Sequence, residues 1–293
     1  MSNRKVSFSG HETFVCRQFW LKKGYDYIRR GDSFSREDAV VQLGVGKNMV
    51  TAIRFWLKGF NIIDKESEGI TELGRYIFEG KDPFLEDLAS LWLLHYAIVK
   101  NERVFIFNSF FNEFMKERTE FTREQLLSFL KRKTEEAEQP LFSEKTYISD
   151  SNVFLRTYIK TNDGKADLEE ETSNLLIDLN LITPFFKKDL DNKPVEWFRA
   201  FREERIDLPI HVVLFSILDT YPHSSIISFY ELLDGYNSPG AIFSLTEKGL
   251  EYKLKELAEN WPDRYTYSST AGNRVFQIKQ DLNKWEILNE YYD

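Results

Sequence analysis

The sequence predicts a mainly α protein with small β-hairpins. An N-terminal winged-helix-like domain is expected over residues 1–80, a mostly helical middle region over residues 81–204 and a C-terminal winged-helix-like domain over residues 205–293. Three observations predict this class. Residues 35–63 spell a short helix, a Gly-x-Gly turn and a second, amphipathic helix, the arrangement by which a helix-turn-helix offers one helix to the major groove. Apolar residues of the middle region recur at three- and four-residue spacings. Residues 265–278 alternate as two strands around Ala271-Gly272-Asn273, a hairpin signal.

Taken in order, a leading helix is expected over residues 13–30. Ser35 followed by Asp38 resembles a capping box and opens the first short helix, whose apolar side is Val40, Val41 and Leu43. Gly44 suits a helix C-terminus that needs a left-handed residue. In the next helix Met49, Val50, Ile53, Trp56, Leu57 and Phe60 form one stripe, while Lys47, Thr51, Arg54 and Lys58 fall on the other side, with Asn48 at the start. Residues 60–64 read as a strand, residues 65–69 as a polar turn, and residues 70–78 as a returning strand that runs into a helix. Gly80-Lys81-Asp82-Pro83 punctuates the chain as a domain boundary.

In the middle region, residues 85–99 form an apolar helix. Residues 104–116 are Phe-rich, and could begin as helix or strand. Residues 122–134 form a helix, and Ser149-Asp150 is expected to cap another at residues 152–159. Asn162-Asp163-Gly164-Lys165 is a turn, Glu169-Glu170-Glu171 leads into a helix or loop, and Leu179-Asn180-Leu181-Ile182 is strand-like. The last part echoes the first. Residues 209–221 and 228–233 are helices, and Leu245-Thr246-Glu247-Lys248-Gly249 resembles Ile70-Thr71-Glu72-Leu73-Gly74. Leu250, Leu254, Leu257 and Ala258 stripe the following helix. That helix mixes Lys248, Lys253 and Lys255 with four glutamates, which favours a structural or protein-binding role there over DNA contact. Arg274 at the hairpin is placed to touch phosphate.

Charge narrows the function. The chain carries a formal net charge of −8, yet residues 1–60 hold eleven Lys or Arg against five Asp or Glu, +6, which leaves −14 for the rest. An acidic body does not coat nucleic acid indiscriminately, but a basic end can orient onto phosphates. The single cysteine, Cys16, excludes an intramolecular disulfide framework and suits a reducing cytoplasm. No apolar run resembles a signal peptide, and residues 88–99 are too short and too polar to span a bilayer.

Familiar catalytic signatures are absent. Gly46-Lys47 lacks the earlier glycine of a P-loop, that position being Val41, and Asn48 follows in place of Ser or Thr. His11-Glu12 lacks the second histidine of a zinc-protease helix, that position being Val15. Histidines 11, 95, 211 and 223 have no zinc-finger spacing, and His95 and His211 read as core residues. The segment Phe8-Ser9-Gly10-His11-Glu12-Thr13-Phe14-Val15-Cys16-Arg17 gathers His, Glu, Cys and Arg around a small-residue turn. Such a cluster could bind phosphate, metal or a partner. The plainer account is that Ser9 caps the leading helix, Glu12 complements its dipole and His11 bonds a neighbour. Asp150, Asn152 and Arg156 pose the same choice between a hydrolytic metal site and capping with a surface ion pair.

Four stretches carry a family resemblance: residues 8–14, Gly44-Val45-Gly46-Lys47-Asn48-Met49-Val50, Asp150-Ser151-Asn152-Val153-Phe154-Leu155-Arg156 and Ser238-Pro239-Gly240-Ala241-Ile242-Phe243. Together they resemble an uncharacterised bacterial domain family whose members occur beside sulfur-transfer genes. It includes the SspB-like components of DNA phosphorothioation systems. The likeness covers nearly the whole chain. It implies a DNA-binding component of a modification or defence system that helps replace a non-bridging phosphate oxygen with sulfur and, for the SspB-like type, nicks the backbone. Duplex DNA and the sulfur-transfer or ATPase proteins of the system are the implied partners, with no membrane. The resemblance assigns no catalytic residue. On their own chemistry, His11, Glu12 and Arg17 are the candidates for nicking: His11 or Glu12 as base, Arg17 for the charge developing at phosphorus, and magnesium or manganese as cofactor. Lys47, Asn48, Thr51, Arg54, Lys58 and Arg274 are the candidates for DNA contact. A non-enzymatic winged-helix regulator and a docking scaffold for sulfur-transfer enzymes are the alternatives.

Overall fold

The computed structural model describes residues 6–160, 174–270, 272–280 and 283–293. They are mainly helical with two three-stranded antiparallel sheets, and the chain forms two compact units, Met1–Ala200 and Phe201–Asp293. The turn expected at Asn162-Asp163-Gly164-Lys165, the helix or loop expected after Glu169-Glu170-Glu171, and Ala271 lie outside the described residues.

The first unit opens with helix α1 (Gln18–Arg29), α2 (Ala39–Leu43) and α3 (Lys47–Gly59). The leading helix starts later than its periodicity suggests, because Ser9, Glu12 and Thr13 all take positive φ, which no helix accommodates. Ser9 therefore caps nothing. The capping box expected at Ser35 does not form either. Asp38 itself is the N-cap of α2, and its carboxylate accepts from Arg36 Nε at 2.9 Å and Nη2 at 2.8 Å. Gly44 does end α2 in the left-handed conformation, φ 60°. The β-hairpin expected after α3 shrinks to one antiparallel bridge, Ile63 with Ile70. Residues 70–78 instead turn at once into α4 (Glu72–Arg75), capped by Thr71, and a π-helical turn, Tyr76–Lys81.

The core is built around α5 (Leu88–Lys100), where every residue from Ala89 to Val99 is buried. A helix apolar on all sides belongs inside a domain. The Phe-rich segment is helical from Phe105 onward: α6 (Phe105–Ser109), a π turn (Phe110–Phe114) and α7 (Met115–Glu117). Its rings stack edge-on with those of α9 (Glu144–Tyr158), for example Phe107 with Phe154 at 5.0 Å. His95 is a core residue as expected, its Nδ1 2.9 Å from the Tyr158 hydroxyl. Strand β1 (Glu120–Phe121) leads to α8 (Arg123–Glu136), which carries a complete Thr122–Gln125 capping box. Helix α9 begins at Glu144 under a Ser143 cap, so Asp150 sits in mid-helix and is not a cap. The strand-like residues 179–182 are a 3₁₀ turn (Ile177–Leu179) followed by left-handed Asn180. The strands come next, as β2 (Thr183–Lys188) and β3 (Pro194–Arg199), giving the sheet order β1-β3-β2.

The second unit runs α10 (Ile210–Thr220), β4 (Ile226–Ser228), α11 (Phe229–Asp234), α12 (Pro239–Ile242), α13 (Glu247–Asn260), β5 (Tyr265–Thr270), β6 (Asn273–Ile278) and α14 (Lys284–Tyr292). The expected β5–β6 hairpin is present in register, Tyr265 with Ile278 through Thr270 with Asn273. The pairing of β4 along β6 and helix α14 are additions that the sequence pattern does not predict. No helix among the described residues is long and apolar enough to cross a membrane.

Candidate nucleic-acid interface

The periodicity of α3 decides what it shows to solvent. Val50, Ile53, Trp56 and Leu57 are buried, whereas Lys47, Asn48, Thr51 and Arg54 are exposed and Lys58 is half-buried. Left-handed Gly44 and extended Gly46 (φ −66°, ψ 159°) set α3 off from α2 at a sharp turn. Two of the cations share one acid. Glu68, a left-handed residue (φ 59°) in the turn after α3, accepts from Arg54 Nε at 2.8 Å and from Arg54 Nη2, and lies 2.6 Å from Lys58 Nζ. Partial burial pushes the Glu68 carboxyl up, but the hydrogen bonds and charges of Arg54 and Lys58 outweigh it and hold its pKa below the usual glutamate value.

Behind α3 lies the segment that begins the family resemblance. Ser9 (φ 68°), Gly10 (φ 98°), Glu12 (φ 48°) and Thr13 (φ 69°) make residues 8–13 a strained loop. Non-glycine residues held this way cost on the order of 1–3 kcal/mol each and persist only where surroundings fix them. Two helices do the fixing. From α9, Asp150 accepts the Ser9 N–H on both oxygens, at 3.1 and 3.0 Å, and Arg156 Nη2 donates to Thr13 O at 3.0 Å. From α3, Trp56 Nε1 donates to Phe14 O at 3.1 Å, and a Cβ on Gly10 would meet Phe55 Cδ2 at 2.7 Å. His11 is 4% exposed and packs against Phe55 and Trp56. Its Nδ1 accepts the Thr13 N–H at 3.2 Å, which leaves the ring proton on Nε2. That atom is buried 3.3 Å from Asp150 Oδ1, outside hydrogen-bond geometry. The motif thus serves as a latch whose loop is tied to α9 on one side and to α3 on the other.

The three residues singled out for chemistry end at different depths. His11 is buried, and the cavity beside it measures about 10 Å³, room for one water and not for a phosphodiester. Glu12 is exposed. Arg17 is half-buried, its guanidinium 5.4 Å from the Trp20 ring centre. Cys16 is wholly buried, and burial pushes its thiol well above the ordinary value, so it is no nucleophile. Asn152 accepts from Arg123 Nη1 at 2.7 Å, and does not meet Asp150 and Arg156 around a shared ligand. Among the described residues no three His, Cys, Asp or Glu side chains are grouped to hold a metal ion. In the second unit, Arg274 is half-buried, 2.6 Å from Glu247 and with its guanidinium 4.0 Å over the Phe229 ring, while Lys253 of α13 is buried and donates to Leu208 O at 2.6 Å.

A family model described as "Protein of unknown function (DUF4007)" matches residues 8–292. The chain belongs to this family. The match starts at Phe8, so the latch and α3 both lie within the DUF4007 region, as does the second unit. Two solved structures are similar to this DUF4007 chain. One is described as "Magnesium ion-bound SspB crystal structure" (TM-score 0.82) and the other as "SspB crystal structure" (TM-score 0.83). Each is 25% identical in sequence, over 99% of this chain and 88% of its own. The resemblance to the SspB-like family is therefore borne out. No curated protein matches the chain.

Sequence reasoning missed Asp150 as the acceptor of the latch and Glu68 as the counter-charge of α3. A separation of 141 residues from Ser9 hides the former. The latter sits in a stretch whose composition signals only a polar turn.

Proposed function

We propose that this chain is the DNA-binding component of a bacterial DNA phosphorothioation system, holding duplex DNA on the exposed face of α3. The carrying observation is that Lys47, Asn48, Thr51 and Arg54 all face solvent on a helix whose opposite side is locked into the core. Lys and Arg neutralise phosphates, and Asn and Arg are the side chains best shaped for base edges. Residues 1–80 then act as a winged-helix-like unit with α3 as its recognition helix and the turn around Glu68 as a reduced wing. The order of the second unit, a helix, a strand, three helices, two strands and a closing helix, supports a similar reading there. Its Lys253 and Arg274 are engaged internally, which favours a structural or partner-docking role for that unit, with sulfur-transfer or ATPase proteins of the system as partners. The SspB likeness supports the phosphorothioation setting, and backbone nicking is the further activity proposed within it. Of the candidate trio, Glu12 is the one that reaches furthest into solvent.

A gel-shift titration with duplex DNA tests the binding reading. Affinity should fall by about two orders of magnitude between about 50 and about 200 mM salt. Absence of a shifted complex at the lower salt sinks it. Supercoiled plasmid incubated with the protein and magnesium or manganese tests nicking separately. Open circles no more abundant than with a His11→Ala, Glu12→Ala variant exclude that part and leave a regulator-like binder.

Glu68 supplies a prediction of opposite sign. Its carboxylate competes with phosphate for Arg54 and Lys58, so Glu68→Gln should tighten duplex binding roughly three- to tenfold at low salt, because the variant removes a charge of the same sign as the ligand. Weaker binding by this variant would show that Glu68 orients Arg54 and does not mask it.

A further inference from the structure

The β1-β3-β2 sheet of the first unit has one face that is buried at β1 and β3, with Phe186 exposed at its β2 edge, and a second face of half-buried and exposed side chains. Phe121 and Phe198 point inward and are buried. The register places Phe185 opposite Trp197 and Thr183 opposite Arg199, with Lys187 two residues beyond Phe185, so these side chains share the other face. Phe185 and Trp197 are half-buried, Lys187 is exposed, and the two rings sit 6.4 Å apart. Lys187 Nζ lies 4.0 Å from the Trp197 ring centre and Arg199 Cζ 4.6 Å from that of Phe185. Of the acids in these strands only Glu120 shares the face. It serves both cations, Lys187 at 2.7 Å and Arg199 at 3.1 Å. Both rings lie on the face away from Phe121 and Phe198 and are half-buried there.

Flat rings alternating with cations along an open sheet match a ligand that alternates flat bases with phosphates. In a duplex the base faces are already stacked on one another, so only an unpaired strand can use the rings. We infer that this face is a binding site for single-stranded DNA, with bases stacking on Trp197 and Phe185 and phosphates drawn to Lys187 and Arg199. The site is on different elements from α3 and does not depend on the duplex-binding reading.

The test is fluorescence anisotropy of a labelled oligo(dT) of about 15 nucleotides, a length that covers one such platform, titrated with the full chain. Trp197→Ala and the Lys187→Ala, Arg199→Ala pair should each weaken binding about tenfold. Trp197→Phe, which keeps a stacking ring, should stay within about threefold of the unaltered protein, and circular dichroism confirms that each variant is folded. Lys47→Ala with Arg54→Ala should leave oligo(dT) binding intact even if duplex binding is lost. The proposal is overturned if oligo(dT) does not bind, if the sheet variants bind it normally, or if the α3 variant alone abolishes binding. Oligo(U) bound as tightly as oligo(dT) overturns the assignment to DNA.

Discussion

Asp150→Ala is expected to destabilise the first unit by about 2–4 kcal/mol, because it strips the part-buried Ser9 N–H of its acceptor and removes the clamp on a strained loop. The carboxylate is 5% exposed and takes the Ser9 N–H on both oxygens. Without it the positive φ angles at Ser9, Glu12 and Thr13 lose the contact that offsets them, and the loop relaxes away from Phe55 and Trp56. For a unit of this size the loss corresponds to a melting temperature lower by roughly 5–12 °C. Asp150→Asn keeps one acceptor oxygen of the same shape and should recover about half of the deficit. Thermal and urea unfolding followed by circular dichroism decide it. A melting temperature within about 1 °C of the unaltered protein for Asp150→Ala means that residues 8–13 are held by something else. The loss should fall on stability first, since no atom of Asp150 lies on the exposed side of α3.

How much of the fold is legible in the sequence follows from how local the causes are. Helix α3 is readable because its burial repeats every three to four residues: Val50, Ile53 and Trp56 inward, Thr51 and Arg54 outward. The β5–β6 hairpin is readable because Ala271-Gly272-Asn273 interrupts two alternating runs. The β2–β3 hairpin is not, because the doublets Phe185-Phe186 and Lys187-Lys188 break the alternation, and the strand projects rings on both faces. The latch defeats local reading altogether. Ser9, Glu12 and Thr13 have side chains that suit a helix start, and only Asp150 and Arg156, far along the chain, show that the backbone is bent the other way. The motif is visible as a cluster, and the expectation that His11 bonds a neighbour holds, but the depth of that histidine depends on aromatic partners from α3 that spacing alone does not supply. The turn at Glu68 is hidden for a related reason. A glutamate in a polar turn reads as solvated until the helix before it brings two cations within reach.

The other large effect concerns that helix. Lys47→Ala with Arg54→Ala should weaken duplex binding roughly 10- to 100-fold at moderate salt and make the slope of log affinity against log salt shallower by about two. The slope is the decisive quantity. Each cation that neutralises a phosphate releases about one condensed counterion, so removal of two contacts has a signature that general unfolding or loss of packing does not imitate. Both side chains are exposed, and Arg54 meets Glu68 through Nε and Nη2, so truncation at either site disturbs no core contact of α3. Stability should therefore stay within about 0.5 kcal/mol of the unaltered protein, as is usual for surface positions. Asn48→Ala belongs beside this pair as a contrast. An uncharged side chain that reads a base edge changes sequence preference and leaves the salt slope where it was. Should the double variant bind with unchanged affinity and slope, the basic face of α3 is only a solvated surface, and duplex recognition must be sought on another part of the chain.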